Sequence, residues 1–226
     1  DDRFIETVIR NRYLFWGNSE GETASHISWN CSGLWAAASL LLAGCAVSSG
    51  LPAAAIPEPE IARAYIPLKG GSFLIQGDAA ALAIAPGIAV TNGHNRNLVD
   101  PKAVIGEDRD YDLLFFRSGR TAVAGASQPR IGEAVQAFGQ GKDGDLRRAQ
   151  GVVDAIAEGP NATVPAYFTF IGNAGPGFSG GPVLDASGQL VGITFGYKNE
   201  GKKRLIYAYP MDRVRAELAA ILKVSK

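Results

Sequence analysis

Cysteine is nearly absent. The 226 residues contain two, Cys31 and Cys45, so nothing downstream of position 45 can form a disulfide or supply a thiolate for redox or structural zinc chemistry. Histidine is as scarce, with only His26 and His94. No basic run is longer than Lys202-Lys203-Arg204, and 22 basic residues are balanced by 22 acidic ones, which gives no electrostatic case for nucleic acid or another polyanion. Long apolar runs are missing as well: residues 34–46 make a run of about a dozen, well short of the ~20 that a membrane-spanning helix needs. What the chain has in plenty is glycine, 28 residues, with 12 prolines spread through short intervals. At 46% hydrophobic and 19% charged it can bury a core as one ordinary domain or two small ones, which sets aside disorder and collagen-like structure. Frequent turns fit a β-rich protein of short strands better than a helical bundle.

Residues 1–45 differ in kind from the rest. The run at 34–46 looks like the apolar region of a secretory signal. Its end, Leu42-Ala43-Gly44-Cys45, resembles the bacterial lipobox, in which the cysteine becomes the lipidated first residue. That resemblance implies acylation at Cys45, export to the bacterial periplasm or cell envelope, and membrane contact only through a lipid anchor. Residues 1–33 are then expected to lie upstream of the processed chain. One feature departs from the pattern: no Lys or Arg stands between Arg12 and Arg63, where a secretory signal carries positive charge ahead of its apolar run. The alternative is an amphipathic helix over residues 4–16 and a buried helix over 34–45. Residues 46–67, rich in Ala, Pro and Ser, read as a tether, which leaves 68–226 as the folded domain.

Beyond position 62, short apolar runs alternate with turn residues. Strands are expected over 72–76, 81–85, 88–91, 103–105, 113–117, 134–139, 150–156, 167–171, 183–184, 190–195 and 205–209, with Gly or Pro in most of the gaps. That spacing argues for a β-barrel or sandwich, dividing into two groups at the turn over 125–130. Residues 211–222 break the rhythm: Val214, Leu218, Ile221 and Leu222 share one face with Asp212 near the start, an amphipathic C-terminal helix.

Three segments carry possible chemistry. In Gly175-Pro176-Gly177-Phe178-Ser179-Gly180-Gly181-Pro182, four glycines and two prolines surround one serine, which points to a tight turn presenting Ser179. The Gly-x-Ser-x-Gly pattern also suits the nucleophile elbow of the α/β-hydrolases, but those enzymes need a histidine after the serine and neither histidine follows Ser179. His94 ends an apolar strand at a small-residue turn, Thr91-Asn92-Gly93-His94, where a general base could be fixed; a structural histidine is the plainer alternative. Asp110-Tyr111-Asp112-Leu113-Leu114 opens a strongly apolar strand with a carboxylate. Glu107, Asp108, Asp110 and Asp112 could equally form a solvated turn, and a calcium loop is set aside because Leu113 stands where it needs glycine.

In the order His, Asp, Ser, these segments resemble the trypsin-like (chymotrypsin-fold) serine peptidases, in particular the bacterial single-chain branch that includes the high-temperature-requirement proteases. Thr91-Asn92-Gly93-His94 matches that family's Thr-Asn-x-His, Asp112-Leu113-Leu114 its Asp-Leu-Ala, and Gly177-Phe178-Ser179-Gly180-Gly181-Pro182 its Gly-Asp/Asn-Ser-Gly-Gly-Pro. The resemblance covers about residues 68 to 222. It implies an all-β fold of two six-stranded-type antiparallel barrels with a C-terminal α-helix, Ser179 as nucleophile, His94 as general base and Asp112 as the carboxylate that orients it. Gly177 and Ser179 would supply the oxyanion hole, each donor worth roughly 3–4 kcal/mol to the transition state. Asn173, Ala174 and Gly175 with Thr194, Phe195 and Gly196 would bound the primary substrate pocket. No cofactor or metal is implied, and the partner is a polypeptide in extended conformation.

Three departures matter. Phe178 stands where the family's zymogen-activating members have Asp before the serine, so activation by pairing with a freshly cut N-terminus is not expected. His94 and Asp112 lie only 18 positions apart, so the first barrel is expected to lack part of a hairpin. No Cys follows His94, as in the bacterial branch. The reading that competes with a serine endopeptidase is a catalytically inactive binding module on the same fold, and a third is a structural envelope lipoprotein.

Overall fold

The computed structural model describes residues 49–72, 75–141, 144–159 and 164–224. The leader and Cys45 lie outside the described residues. The chain enters through a two-residue strand, β1 (Leu51–Pro52), and a short helix, α1 (Pro59–Ala64). It then builds a first antiparallel sheet from β2 (Tyr65–Ser72), β3 (Ile75–Ala85), β4 (Ile88–Asn92), β5 (Val104–Asp108) and β6 (Leu113–Arg117), in the order β2-β3-β4-β6-β5. A second follows from β7 (Ala134–Gln140), β8 (Leu146–Ala157), β9 (Tyr167–Ile171), β10 (Pro182–Asp185), β11 (Leu190–Glu200) and β12 (Lys203–Pro210). Its order is β1-β8-β7-β10-β11-β12-β9, and β8 also pairs with β9, so six strands close into a barrel.

Closure depends on the length of β8. Its first half pairs with β7 and β1, its second half with β9, and Gly151 sits where the strand turns from one partner toward the other. A Cβ at Gly151 would run into the Ile171 carbonyl, so only glycine lets β9 approach. The first sheet stays open at five strands, with β2 and β5 as edges, in line with the short His94–Asp112 separation. The connection between the two bodies runs over residues 118–133, spanning the expected division.

Several strands, β6 and β10 among them, bury both of their faces and so build the core. Leu82, Val90, Leu113, Leu114 and Phe115 are buried in the first body, and Val153, Phe168, Phe170, Phe178, Val183 and Ile206 in the second. Helix α2 (Met211–Val224) buries Val214 and Leu218 as expected and lays Ile221 on Gly106 of the edge strand β5, but Leu222, expected on the same face, is exposed.

Much of the stretch read as a tether is folded. From Ser49 to Pro67 the chain forms β1, α1 and the start of β2, and Ile56, Ile61, Ala64 and Tyr65 are buried. The Ala/Pro-rich composition of that stretch masked four apolar anchors too widely spaced to show a period, and the domain takes in residues upstream of position 68.

Candidate active site

Strand pairing sets the first half of the site. Asn92, the last residue of β4, pairs with Leu113, the first of β6, so Gly93-His94 and Asp112 meet where the two strands end. The Gly93 N–H donates to the Asp112 carbonyl at 2.7 Å and the His94 N–H to Asp112 Oδ1 at 2.9 Å. His94 Nδ1 and Asp112 Oδ2 lie 2.5 Å apart. In a neutral imidazole this contact places the ring proton on Nδ1 and makes Nε2 the acceptor. Both side chains are about a third exposed, at 35% for His94 and 39% for Asp112.

The backbone is bent to allow this. Asp112 is the one described non-glycine residue with positive φ, at 50°, a left-handed conformation that Asp tolerates better than most residues. Gly93 packs so close that a Cβ there would lie 2.7 Å from Asp112 Oδ1. The neighbouring carboxylate Asp108 is already used: its Oδ1 accepts the N–H groups of Asp110 and Tyr111, both at 2.9 Å, and so shapes the turn that delivers Asp112. Behind the turn, Tyr209 is fully buried, and burial together with the charge of Asp112 pushes its hydroxyl well above the usual range, keeping it neutral. Among the described residues, no group of three His, Cys, Asp or Glu side chains could hold a metal.

A buried polar relay ties His94 to the serine turn. Thr91 Oγ1 donates to the Ala80 carbonyl at 2.7 Å and accepts from Asn95 Nδ2 at 3.0 Å, and the same Asn95 amide reaches the Ser179 carbonyl at 3.5 Å. The Ala80 N–H also donates to that carbonyl, at 2.9 Å. The residue after His94 and a strand of the first sheet thereby hold the backbone of Ser179.

Backbone hydrogen bonds fix the serine turn on both sides of Ser179. The Gly177 carbonyl accepts from Gln140, Phe178 donates to Gly175, Gly180 to Thr194 and Gly181 to Phe178, at 2.8 to 3.2 Å. Gly177 has φ +89° and a Cβ there would strike the Gln140 carbonyl, so the turn admits only glycine. Among the described residues, no acceptor takes the N–H groups of Gly177 and Ser179. These two donors flank Phe178 on one tight turn, and Ser179 is half-buried.

The residues expected to bound the pocket fall on two segments. Asn173, Ala174 and Gly175 form the loop before the turn. Thr194, Phe195 and Gly196 lie at a bulge in β11, after which Gly196 pairs with Tyr207 and Tyr197 with Ile206. Ile206 is buried in one cluster with Ala174 and Phe178, whereas Tyr207 points to the opposite face beside Tyr167 and Phe195. Phe195 stacks on Tyr209 with centroids 4.0 Å apart.

Sequence reasoning missed Arg204, since nothing marks one arginine in a basic turn as different from its neighbours. Its Nη1 donates to the Ala174 carbonyl at 3.1 Å, its Nε to Asn199 Oδ1 at 2.9 Å, and its guanidinium lies 4.8 Å from the Tyr197 ring centre. It clasps the loop 173–175 to the β11–β12 hairpin. Asn173, Lys202, Lys203 and Arg204 also line an open cleft of ≈ 370 Å³ behind that loop.

A closed β-barrel packed on a second antiparallel sheet, with a His–Asp pair and a glycine-bound serine turn held together by their junction, defines a chymotrypsin-type fold. Residues 74–193 match the family model of the trypsin-like peptidase domain, and the chain belongs to that family. Solved structures share the fold. The HtrA-type protease AlgW, solved with a tripeptide, superposes with a TM-score of 0.60 at 18% identity over 74% of this chain and 62% of that one. A serine endoprotease from Yersinia pestis gives 0.59 at 17% identity over 74% and 65%. An inactive form of Rv3671c from M. tuberculosis gives 0.57 at 17% identity over 79% and 98%. The chain thus spans less than two thirds of the first two proteins. No curated protein matches it by sequence.

Proposed function

We infer that the chain is a serine endopeptidase that hydrolyses peptide bonds through an acyl-enzyme on Ser179. The observation that carries this reading is the double contact of Asp112 with His94, at Nδ1 and at the backbone N–H, beside a serine turn with two unspent donors. In this mechanism His94 Nε2 takes the proton from Ser179 Oγ as it attacks the scissile carbonyl. The Gly177 and Ser179 N–H groups stabilise the oxyanion, and the protonated imidazole, held by Asp112, returns its proton to the leaving amine. Water then repeats the sequence to release the acid.

The substrate is an extended polypeptide paired with the backbone around Thr194 to Gly196. AlgW was solved with a tripeptide bound, which supports a peptide ligand for a fold of this kind. Cleavage follows neutral residues. No carboxylate lies among Asn173, Ala174, Gly175, Thr194, Phe195 and Gly196, Ile206 fills the inner side, and Arg204 adds a like charge against any Lys or Arg side chain entering there. A peptide-library digest showing mainly Lys or Arg before the cut bond would refute the pocket assignment.

The decisive experiment is reaction with a fluorophosphonate, which phosphonylates only an activated serine. Wild type is labelled, Ser179→Ala is not, and His94→Ala is labelled far more slowly. A folded wild type that resists the probe supports the second reading, an inactive binding module, which the open first sheet favours. The exported, lipid-anchored location rests on Cys45. Labelled palmitate is incorporated by wild type and not by Cys45→Ser, and equal labelling of the two, or none, removes the anchor.

A further inference from the structure

We propose that residues Ser49 to Ala53 form a strap that positions the serine turn, with Gly50 and Phe178 as the contact through which it acts. This rests on the serine-peptidase reading and extends it to a part of the chain far from the triad in sequence.

The strap is fixed at both ends. Leu51 and Pro52 pair with Arg148 and Arg147 of β8, and the Ala53 N–H donates to the Leu146 carbonyl at 2.9 Å. At its other end the Gly50 N–H donates to the Asn173 carbonyl at 2.9 Å, on the loop that leads into the serine turn. Ser49 lies against Gly175: a Cβ on that glycine would come 2.5 Å from Ser49 Oγ.

The ring of Phe178, the residue before Ser179, is 2% exposed and wedged between two glycines. A Cβ on Gly139 would come 2.7 Å from Phe178 Cγ, and one on Gly50 would come 2.7 Å from Cζ. Gly139 belongs to the barrel wall, and Gly50, at φ +65°, belongs to the strap. The ring is thus held at its base by the barrel wall and at its tip by the strap, and its backbone lies between Gly177 and Ser179, the two proposed oxyanion donors. Displacing the strap frees the ring to tilt, and rotation of that one residue misaims both N–H groups. The loss falls on transition-state stabilisation more than on substrate binding.

The test compares two glycines with the same backbone strain. Gly50 has φ +65° and a Cβ there meets both Phe178 Cζ at 2.7 Å and the Arg148 carbonyl of β8 at 2.8 Å, so the variant pushes the strap off the barrel wall and the ring together, whereas Gly87 has φ +74° and no atom within 4 Å of a built Cβ. Gly50→Ala should lower kcat about tenfold or more with KM changed less than about twofold, while Gly87→Ala alters neither. Hydrogen exchange at residues 173–181 should quicken in Gly50→Ala and not in Gly87→Ala. Phe178→Leu, which keeps an apolar plug between the glycines, should retain more kcat than Phe178→Ala, and this pair covers a Gly50 variant that fails to fold. Equal kcat losses in Gly50→Ala and Gly87→Ala, unchanged exchange in the turn, or equal activity of the two Phe178 variants overturns the strap. If wild type does not react with a fluorophosphonate, the peptidase reading fails, and the exchange comparison still decides whether the strap holds the turn.

Discussion

Asp112 is held by its neighbours before it acts on anything. Its carbonyl accepts from Gly93, one carboxylate oxygen accepts the His94 N–H, and the other faces Nδ1, so the imidazole has little freedom to rotate. Asp112→Asn keeps the shape but presents an amide donor to Nδ1, which favours the wrong tautomer; turnover should fall by roughly four orders of magnitude. Asp110→Asn should leave turnover near wild type, since that side chain is exposed and the turn is closed by Asp108. Steady-state hydrolysis of a peptide substrate by the two variants checks the pair, and a larger loss from Asp110→Asn would transfer the role. The candidate residues His94, Asp112 and Ser179 were legible because each stands in a short motif whose glycines and apolar flanks are local. Arg204 and Gly50 were not, because their meaning comes from partners far along the chain, the loop at 173–175 and the ring of Phe178.

At the scale of elements, helix α2 supports the turn that carries Asp112. Arg213 forms a nearly buried pair with Glu217 at 2.9 Å, and its guanidinium lies 4.7 Å from the ring centre of Tyr111, next to Asp112. Burial raises the Glu217 carboxyl above its ordinary 4.5; the Arg213 hydrogen bond opposes this, and the neighbouring Asp108 adds to it. A carboxyl raised in the folded state stabilises the fold fully below its unfolded value, and that contribution is lost as pH climbs through the folded value. Melting temperatures should therefore show Glu217→Gln gaining on wild type as pH rises above about 4.5. A difference that is flat with pH would mean that Glu217 titrates as in an unfolded chain. Most elements were legible because their period is local: β6 and β9 fall on their expected residues, and α2 shares its first residue with the expected helix. By contrast β1, α1 and β2 escaped, since a two-residue strand has no period and the glycine pair inside β2 reads as a turn.

On the scale of the whole molecule, the two bodies differ in how they finish. The six-stranded barrel closes on itself, so its ladder has no free edge, while the first sheet ends at β2 and β5. The short connection between His94 and Asp112 leaves no room for another hairpin, and helix α2 covers the β5 edge by setting Ile221 on Gly106 so tightly that a Cβ there would meet its side chain at 2.5 Å. The helix thus substitutes for part of a barrel wall, and because β5 leads directly into the turn bearing Asp112, it also supports the site. Ile221→Asp places a charge against that strand. Amide exchange should quicken across β5 and β6 and stay near wild type in β10 and β11, with a fall in turnover that fluorophosphonate labelling tracks. Exchange that rises equally in both bodies would mean that they unfold as one unit, and unchanged exchange in β5 would mean that the edge is closed by something other than the helix.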